Sequence, residues 1–269
     1  MIHILMTNIK VYKEFGFILM YFLPHAYSLH KQGKLGNTSS RSGTNALFYF
    51  SENHQELNKH DGTLFQYHFN CYSLQPPAFT QKDWEPPKLN EHYKNNDIVF
   101  DKPILTVHNK NTQEWMKSPK NYFSSDALRN IFETFGDTYQ IIYIRPFYEN
   151  SNITQDNNQN AVNIGDEDVL KEFPGVIWIK DIYTDEYESY NELQFKILAN
   201  SEMHISPAGD CVIPAYFGGD LLVYNCPTAP SANRGVWKTN SWLRLLSGSK
   251  IYSFGDYDSL IQKGIELWM

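Results

Sequence analysis

Short apolar runs alternate with helix-patterned segments through the second half of the chain. ILTVH, YQIIYI and DLLVY are nearly continuous in apolar residues, which is typical of strands buried on both faces of a parallel sheet. Between them, apolar residues recur at three- and four-residue spacing, which indicates helices. The predicted strands are Asp101–Lys110, Tyr139–Pro146, Gly175–Tyr183, His204–Asp210 (strand, then loop) and Asp220–Asn225. The predicted helices are Asn121–Phe135 (capped by Ser124 or Ser125), Glu167–Phe173, Tyr190–Ser201 and Cys211–Gly219.

The first hundred residues follow a similar but less regular pattern. It predicts a strand at His3–Thr7, a helix at Glu14–Gln32, a loop at Gly36–Gly43, and strands at Ala46–Ser51 and Leu64–Tyr72. Four prolines among polar residues make 74–96 a linker, because no long regular element survives that spacing. We therefore expect an α/β protein with a first lobe over 1–96, a second lobe over 97–250, and a C-terminal helix over 251–269 that packs back on the first lobe.

Composition narrows the classes of partner. The net charge is −7 and no segment carries a basic cluster, which disfavours a nucleic-acid partner. Three cysteines without CxxC spacing suit free thiols in a reducing compartment. The apolar run FGFILMYFLP is about half of the ~20 residues that span a bilayer. Lysines before this run leave a signal peptide open, but the expectation is a cytoplasmic protein without a membrane span.

Polar residues follow the predicted strands of the second lobe, where parallel sheets bind their ligands. They are His108, Asn109, Lys110, Arg145, Asp181, Ile182, Tyr183, Ser206, Ala208, Gly209 and Asp210. Lys110 and Arg145 are suited to neutralise a diphosphate. The S-P-A-G-D turn, opening the helix at Cys211, is expected to offer free backbone N–H groups and a positive dipole end. Each feature alone also fits a solvated strand end or an ordinary turn and cap.

Several other site classes lack support in the sequence. No GxxxxGK[ST], GxGxxG, GxSxG or HExxH motif is present, and the nine histidines lack metal-site spacing. Two Asp-x-Asp triplets, starting at Asp166 and Asp256, match the letters of a metal-binding motif. Each precedes a predicted or possible helix, so N-capping explains both.

The second half resembles a group of GT-B glycosyltransferases, in which two Rossmann-like lobes face each other across a cleft. KPILTVHNKNTQEW (Lys102–Trp115), P-x-N-Y-F-S and YQIIYIRP are similar to motifs of members from large DNA viruses and bacteria, among them chlorella-virus capsid xylosyltransferases. ISPAGDCVIPAYFGG (Ile205–Gly219) resembles the turn and helix that hold the donor phosphates. The S-P-A-G-D turn departs from the group, which more often has a Gln-Gly-Gly-like turn where the donor phosphate or sugar is contacted.

The resemblance implies a metal-independent transferase that moves a sugar, xylose in the narrower match, from a UDP-linked donor to a glycan. The nucleotide base would lie at Asp181–Tyr183, and Asp210 would accept from a hydroxyl of the donor. Glu14, at the loop-to-helix junction of the first lobe, is the nominated general base, with His25, Glu52 and His54 as alternatives. A metal-dependent GT-A transferase and a non-catalytic nucleotide-sugar-binding module are the competing hypotheses.

Overall fold

The structure, a computed structural model, describes residues 6–11, 15–57, 83–110, 120–145 and 164–269. The predicted strand at Leu64–Tyr72 and most of the predicted strand at His3–Thr7 lie outside these residues. Glu14 also lies outside them.

Six parallel strands form one sheet that carries the second part of the chain. Their spatial order is β6-β5-β4-β7-β8-β9. In chain order this is 3-2-1-4-5-6, the arrangement of doubly wound nucleotide-binding sheets. The strands are β4 (Ile104–His108), β5 (Gln140–Ile144), β6 (Ile177–Trp178), β7 (Met203–Pro207), β8 (Asp220–Tyr224) and β9 (Lys250–Phe254).

Amphipathic helices cover one face of this sheet. Ser124 caps the first of them, its Oγ accepting the N–H of Ala127, which confirms that part of the prediction. Apolar residues of two helices pack on the face that carries Leu105, Tyr143 and Leu222. The helices of this part are α4 (Ser125–Phe135), α5 (Asp166–Glu172), α6 (Ile179–Ile182), α7 (Tyr190–Ala199) and α8 (Tyr257–Trp268).

A smaller parallel sheet, of order β1-β2-β3, forms the first part. Its strands are β1 (Thr7–Lys10), β2 (Leu35–Arg41) and β3 (His54–Leu57), accompanied by helices α1 (Phe15–Phe17), α2 (Leu23–Lys31) and α3 (Leu89–Tyr93), with a π-helical segment Ile18–Phe22 joining α1 to α2. Two predictions are wrong here. The predicted loop Gly36–Gly43 is largely strand β2, and the predicted strand Ala46–Ser51 is a series of turns whose apolar side chains point into the core.

Three predictions in the second part also need correction. The predicted strand Gly175–Tyr183 is only the two-residue β6, after which the chain turns into α6. The predicted helix Cys211–Gly219 consists of two separate 3₁₀ turns, Asp210–Val212 and Pro214–Tyr216. The segment 251–269 contains β9 before α8, and α8 packs on β8, β9 and α4 rather than on the first part.

The first part packs on the other face of the six-stranded sheet. One continuous cluster of buried apolar residues contains Ile18 and Phe48 together with Ile142 and Leu221. Hydrogen bonds cross the junction, including that from the Tyr216 hydroxyl to the Leu19 carbonyl at 2.5 Å. The two parts are therefore held together by a shared apolar core as well as by polar contacts.

Candidate functional site

The strand order places a switch point between β4 and β7. From β4 the chain winds toward β5 and β6, whereas from β7 it winds toward β8 and β9. Crossover segments therefore leave the two strands in opposite directions, and ligands of such sheets bind in the crevice at the carboxyl ends of these strands. The segments that border this crevice are 108–110 after β4 and 208–210 after β7.

A buried histidine–aspartate pair spans the switch point. The His108 Nδ1 atom lies 3.4 Å from the Asp210 Oδ2 atom. Neither ring nitrogen of His108 makes a hydrogen bond to the described residues, although the side chain is fully buried. Asp210 is 9% exposed and is therefore the member of the pair that reaches the surface. His108 is positioned to act through Asp210 rather than to touch a ligand itself.

A second buried histidine, His204, lies on the same face of the sheet as His108 and nearer the amino ends of the strands. The His204 Nδ1 atom is 2.7 Å from the Thr106 hydroxyl of the neighbouring strand. Burial, reinforced by His108, lowers the pKa of His204 to about 3. His204 is therefore neutral near pH 7. The sequence contains a signal for this layer of buried polar side chains. Each of the two strands carries two polar residues at a spacing of two, which places both on one face: Thr106 and His108 in β4, and His204 and Ser206 in β7.

The turn after β7 differs from its expected form. Gly209 has a φ of +100°, and a Cβ built on it would meet nothing within 4 Å, so the turn requires glycine and leaves open space beside it. The Ala208 N–H, however, donates to the Tyr224 carbonyl at 2.8 Å and is not free. Because only a three-residue 3₁₀ turn begins at Asp210, the expected helix dipole at this point is wrong.

Asn109 and Arg145 serve the fold at the same edge of the sheet. The Asn109 amide group donates to the Phe123 carbonyl and accepts the Phe123 N–H, at 3.0 and 2.9 Å. Arg145 is buried and ion-paired with Asp166, which also accepts the Tyr143 hydroxyl at 2.8 Å. Both side chains are committed inside the protein, so their expected contacts with a diphosphate have no support in this geometry.

The two Asp-x-Asp triplets are also accounted for locally. Asp166 does not cap α5, because the N-cap residue is Gly165, so the capping prediction is wrong for the first triplet. Asp168 is exposed and pairs with Lys171 at 2.7 Å. For the second triplet the capping prediction is confirmed, since Asp256 accepts the Ser259 N–H at 2.8 Å. Within the described ranges, no group of three or more His, Cys, Asp or Glu side chains is arranged to hold a metal ion.

The remaining residues predicted to contact the donor are spread along the carboxyl ends of the strands. Lys110 comes two residues after the end of β4 and is partly exposed, which places the residue beside the switch point. Ser206 is fully buried on β7, on the face shared with His204. Asp181–Tyr183 lies after the edge strand β6, two strands away from β4. Tyr183 there stacks on Tyr187 at 6.5 Å between ring centroids.

The candidates for a general base have different surroundings. His54 is tied on both sides, with Nδ1 2.8 Å from the Thr38 hydroxyl and Nε2 3.1 Å from the Thr44 hydroxyl. Burial lowers its pKa to about 4, so it is a neutral, hydrogen-bonded structural histidine. Nδ1 of His25 lies 2.9 Å from the Asp83 carbonyl. Glu52 is exposed beside His54.

Comparisons with known proteins find a structural similarity but no sequence match. No protein-family profile matches the chain, and no curated protein matches its sequence. Among solved structures, the chain is similar to the heptosyltransferase WaaC of E. coli with ADP. The two are 11% identical, with a TM-score of 0.41 over 90% of this chain and 71% of that chain. Among the described helices, none has the length and apolar character needed to cross a bilayer.

Proposed function

We propose that this chain is a glycosyltransferase that binds a nucleotide-sugar donor at the switch point between β4 and β7. The donor is UDP-linked, the acceptor is a glycan hydroxyl, and transfer proceeds with inversion and without a metal ion. The first and second lobes of the GT-B arrangement correspond in this proposal to residues 1–96 and 97–250. Xylose is the first sugar to test, because the sequence motifs resemble those of viral xylosyltransferases.

The observation that carries the proposal is the strand order together with what lies at the switch point. A 3-2-1-4-5-6 sheet creates a crevice at this place, and nucleotides are the usual ligands of such crevices. An aspartate backed by a buried histidine and an open glycine turn border it here. The transfer of a sugar, as opposed to nucleotide binding alone, rests on the resemblance of the motifs at Lys102–Trp115 and Tyr139–Pro146.

Each group in the crevice has a role in this proposal. The Asp210 carboxylate accepts a hydrogen bond from a hydroxyl of the ribose or the sugar, and His108 lies behind that carboxylate in the interior. Lys110 supplies the positive charge that stabilises the departing diphosphate. The segment Asp181–Tyr183, which follows the outermost strand β6, contacts the nucleotide base.

Calorimetry with UDP and GDP tests the donor site. In an Asp210→Asn variant we expect UDP to bind about ten-fold or more weakly, because a hydrogen bond to a charged group contributes roughly 1.5–3 kcal/mol. The matched control is Asp137→Asn. Asp137 is exposed in the turn before β5, at the amino ends of the strands and therefore on the side of the sheet opposite the crevice. Equal UDP binding by both variants would remove Asp210 from the site, and no nucleotide binding by the wild type would overturn the proposal.

A thermal-shift screen against nucleotide sugars identifies the donor. Only a ligand that prefers the folded state raises stability, so the correct sugar stabilises the protein more than free UDP does. UDP-xylose and UDP-glucose are the first pair to compare. Transfer that survives EDTA supports metal independence, whereas loss of activity with rescue by Mn²⁺ indicates the GT-A alternative. Tight nucleotide binding without transfer or donor hydrolysis indicates a non-catalytic module.

Glu14 is proposed as the general base that deprotonates the acceptor. A Glu14→Gln variant removes the base while keeping the size of the side chain, so we expect kcat to fall by roughly 10²–10⁴ with UDP affinity unchanged. Glu133→Gln, an exposed position on α4, is the control. An unchanged kcat in the Glu14 variant would move the assignment to another residue.

A further inference from the structure

A pocket lies at the junction of the two parts of the chain. It has a volume of about 360 Å³, within the range of small-ligand sites. The first part contributes the turns around Asn45 and Tyr49, Glu52, and His92 of α3. The second part contributes Glu188 and Glu192 around the beginning of α7. We name it the Tyr49 pocket.

One wall of the Tyr49 pocket is aromatic and uncharged. The rings of Tyr49 and His92 stack with 3.6 Å between centroids and 13° between planes. Burial, followed by the nearby Tyr27 and Glu91, raises the pKa of Tyr49 to about 12, so the phenol keeps its proton. Burial also lowers the pKa of His92. His54, at the back of the pocket, is the neutral histidine described above, hydrogen-bonded through both nitrogens.

The remaining charged lining of the pocket is negative. Glu192 pairs with Lys196 at 3.0 Å and also accepts the Glu188 N–H, so its charge is compensated. The Glu188 carboxylate accepts a hydrogen bond from the Asn45 side-chain amide at 3.1 Å, and this neutral partner leaves the negative charge of Glu188 in place. Glu52 adds a third carboxylate. Among the described residues that line the pocket there is no lysine or arginine, so at least two negative charges face it without a cation in its lining.

We infer that the Tyr49 pocket binds a hydroxylated ligand that carries an ammonium group, and that the acceptor of the proposed transfer is therefore an amine-bearing sugar. Its role as the acceptor site rests on the proposed function; the preference for an ammonium group does not. An ammonium group forms charge-assisted hydrogen bonds with carboxylates and is attracted to aromatic rings. The same carboxylates repel a phosphorylated or carboxylated glycan. A bare metal ion suits the pocket less, because the described carboxylates do not converge into a coordination group.

The β-1,4-linked dimer of D-glucosamine and its di-N-acetylated form are a matched pair of probes, because acetylation removes the positive charge and keeps the sugar rings. In a mildly acidic buffer at low salt, we expect calorimetry to show at least about ten-fold tighter binding of the amine form, with the difference shrinking as salt is added. Equal binding of the two dimers, or binding of neither, would overturn the inference.

Variants locate the binding in the Tyr49 pocket. Glu188→Gln keeps an acceptor for Asn45 and Glu52→Gln keeps the side-chain shape, so both remove charge without removing packing. We expect each to weaken binding of the glucosamine dimer by about five-fold and to leave the melting temperature near the wild-type value, whereas the distant Glu133→Gln leaves binding unchanged. Binding of the dimer that is insensitive to both pocket variants would contradict the assignment.

The two proposals fail separately. If the dimer binds as expected but no nucleotide binds to the wild type, the ammonium site stands and the transferase proposal falls. If UDP binds with the expected dependence on Asp210 while neither dimer binds, the donor site stands and the inference about the Tyr49 pocket is wrong.

Discussion

Arg145 and Asp166 meet in the interior at the carboxyl end of β5, with side chains only 8% and 0% exposed. Removing one partner of a buried ion pair leaves the other charge uncompensated, which costs about 3 to 5 kcal/mol. We therefore expect Asp166→Asn to lower the free energy of unfolding by about that amount in a urea titration. Asp168→Asn, two residues away in the same helix, removes an exposed partner of Lys171 and should change stability little. Equal stability of the two variants would contradict the structural role of the pair.

Positions of the candidate site residues could be predicted from the sequence, but most of their roles could not. His108, Arg145 and Asp210 were expected at strand ends because a parallel sheet brings those ends to one edge, and they lie there. The role of Arg145 depends on Asp166, which reaches it from a helix 21 residues later in the chain. A partner of that kind is set by tertiary packing, so the residue type alone suggested a phosphate ligand. The pairing of His108 with Asp210 was missed for the same reason.

At the scale of elements, α8 approaches α4 closely enough that Gly264 has no room for a side chain. A Cβ there would lie 2.6 Å from Phe135 Cζ and 3.3 Å from Leu222 Cδ1. Alanine would favour the helix by up to about 1 kcal/mol, but overpacking a rigid core costs about 1–3 kcal/mol. Because Phe135 is fully buried and packed against Trp268, we expect Gly264→Ala to destabilise the protein in thermal unfolding.

Gly16→Ala is the control for this substitution. Its Cβ would meet nothing closer than Met20 Cε at 4.0 Å, so only the helix preference remains, and the variant should be as stable as the wild type or slightly more stable. If Gly264→Ala proved at least as stable as Gly16→Ala, the close packing of α8 on α4 would be wrong.

Capping of α4 is a second prediction at this scale. Ser124 accepts the Ala127 N–H, and alanine at such a position typically costs about 1 kcal/mol. We expect Ser124→Ala to lose about this much in a urea titration. Ser124→Asp keeps an acceptor at the N-cap and should recover most of the loss. A Ser124→Asp variant no more stable than Ser124→Ala would show that the cap contributes little.

Elements of the second part were predictable because their patterns are strong, and those of the first part were not. β4, β5 and β8 are runs of mainly apolar residues that bury both faces, and α4 has clear helical spacing. β2, in contrast, reads LGNTSSR and is built mainly from small and polar residues, a composition typical of loops. The apolar run at Ala46–Ser51 has the composition of a strand, but turns also bury apolar side chains when a core lies beneath them.

At the scale of the whole molecule, the interior of the fold depends on histidines that must stay neutral. The pKa of His204 falls from its ordinary value near 6.5 to about 3 through burial, and that of His54 falls to about 4. Between the folded and ordinary pKa values the unfolded chain binds protons that the folded chain does not. The free energy of unfolding therefore rises with pH across this window and falls as the pH drops from about 6.5 toward about 3.

The size and origin of this pH dependence are testable. Each such histidine contributes a slope approaching 1.4 kcal/mol per pH unit, so stability near pH 5 should be clearly below that near pH 7 in urea titrations. His204→Gln loses packing at every pH, but glutamine does not titrate, so its stability should vary less across the same range. The comparison uses the slope rather than the absolute stability, which separates titration from a simple packing defect. Parallel plots of unfolding free energy against pH for the wild type and His204→Gln would show that His204 binds its proton equally well in the folded and unfolded states. The buried polar side chains beneath the switch point would then be more accessible to water than the structure indicates.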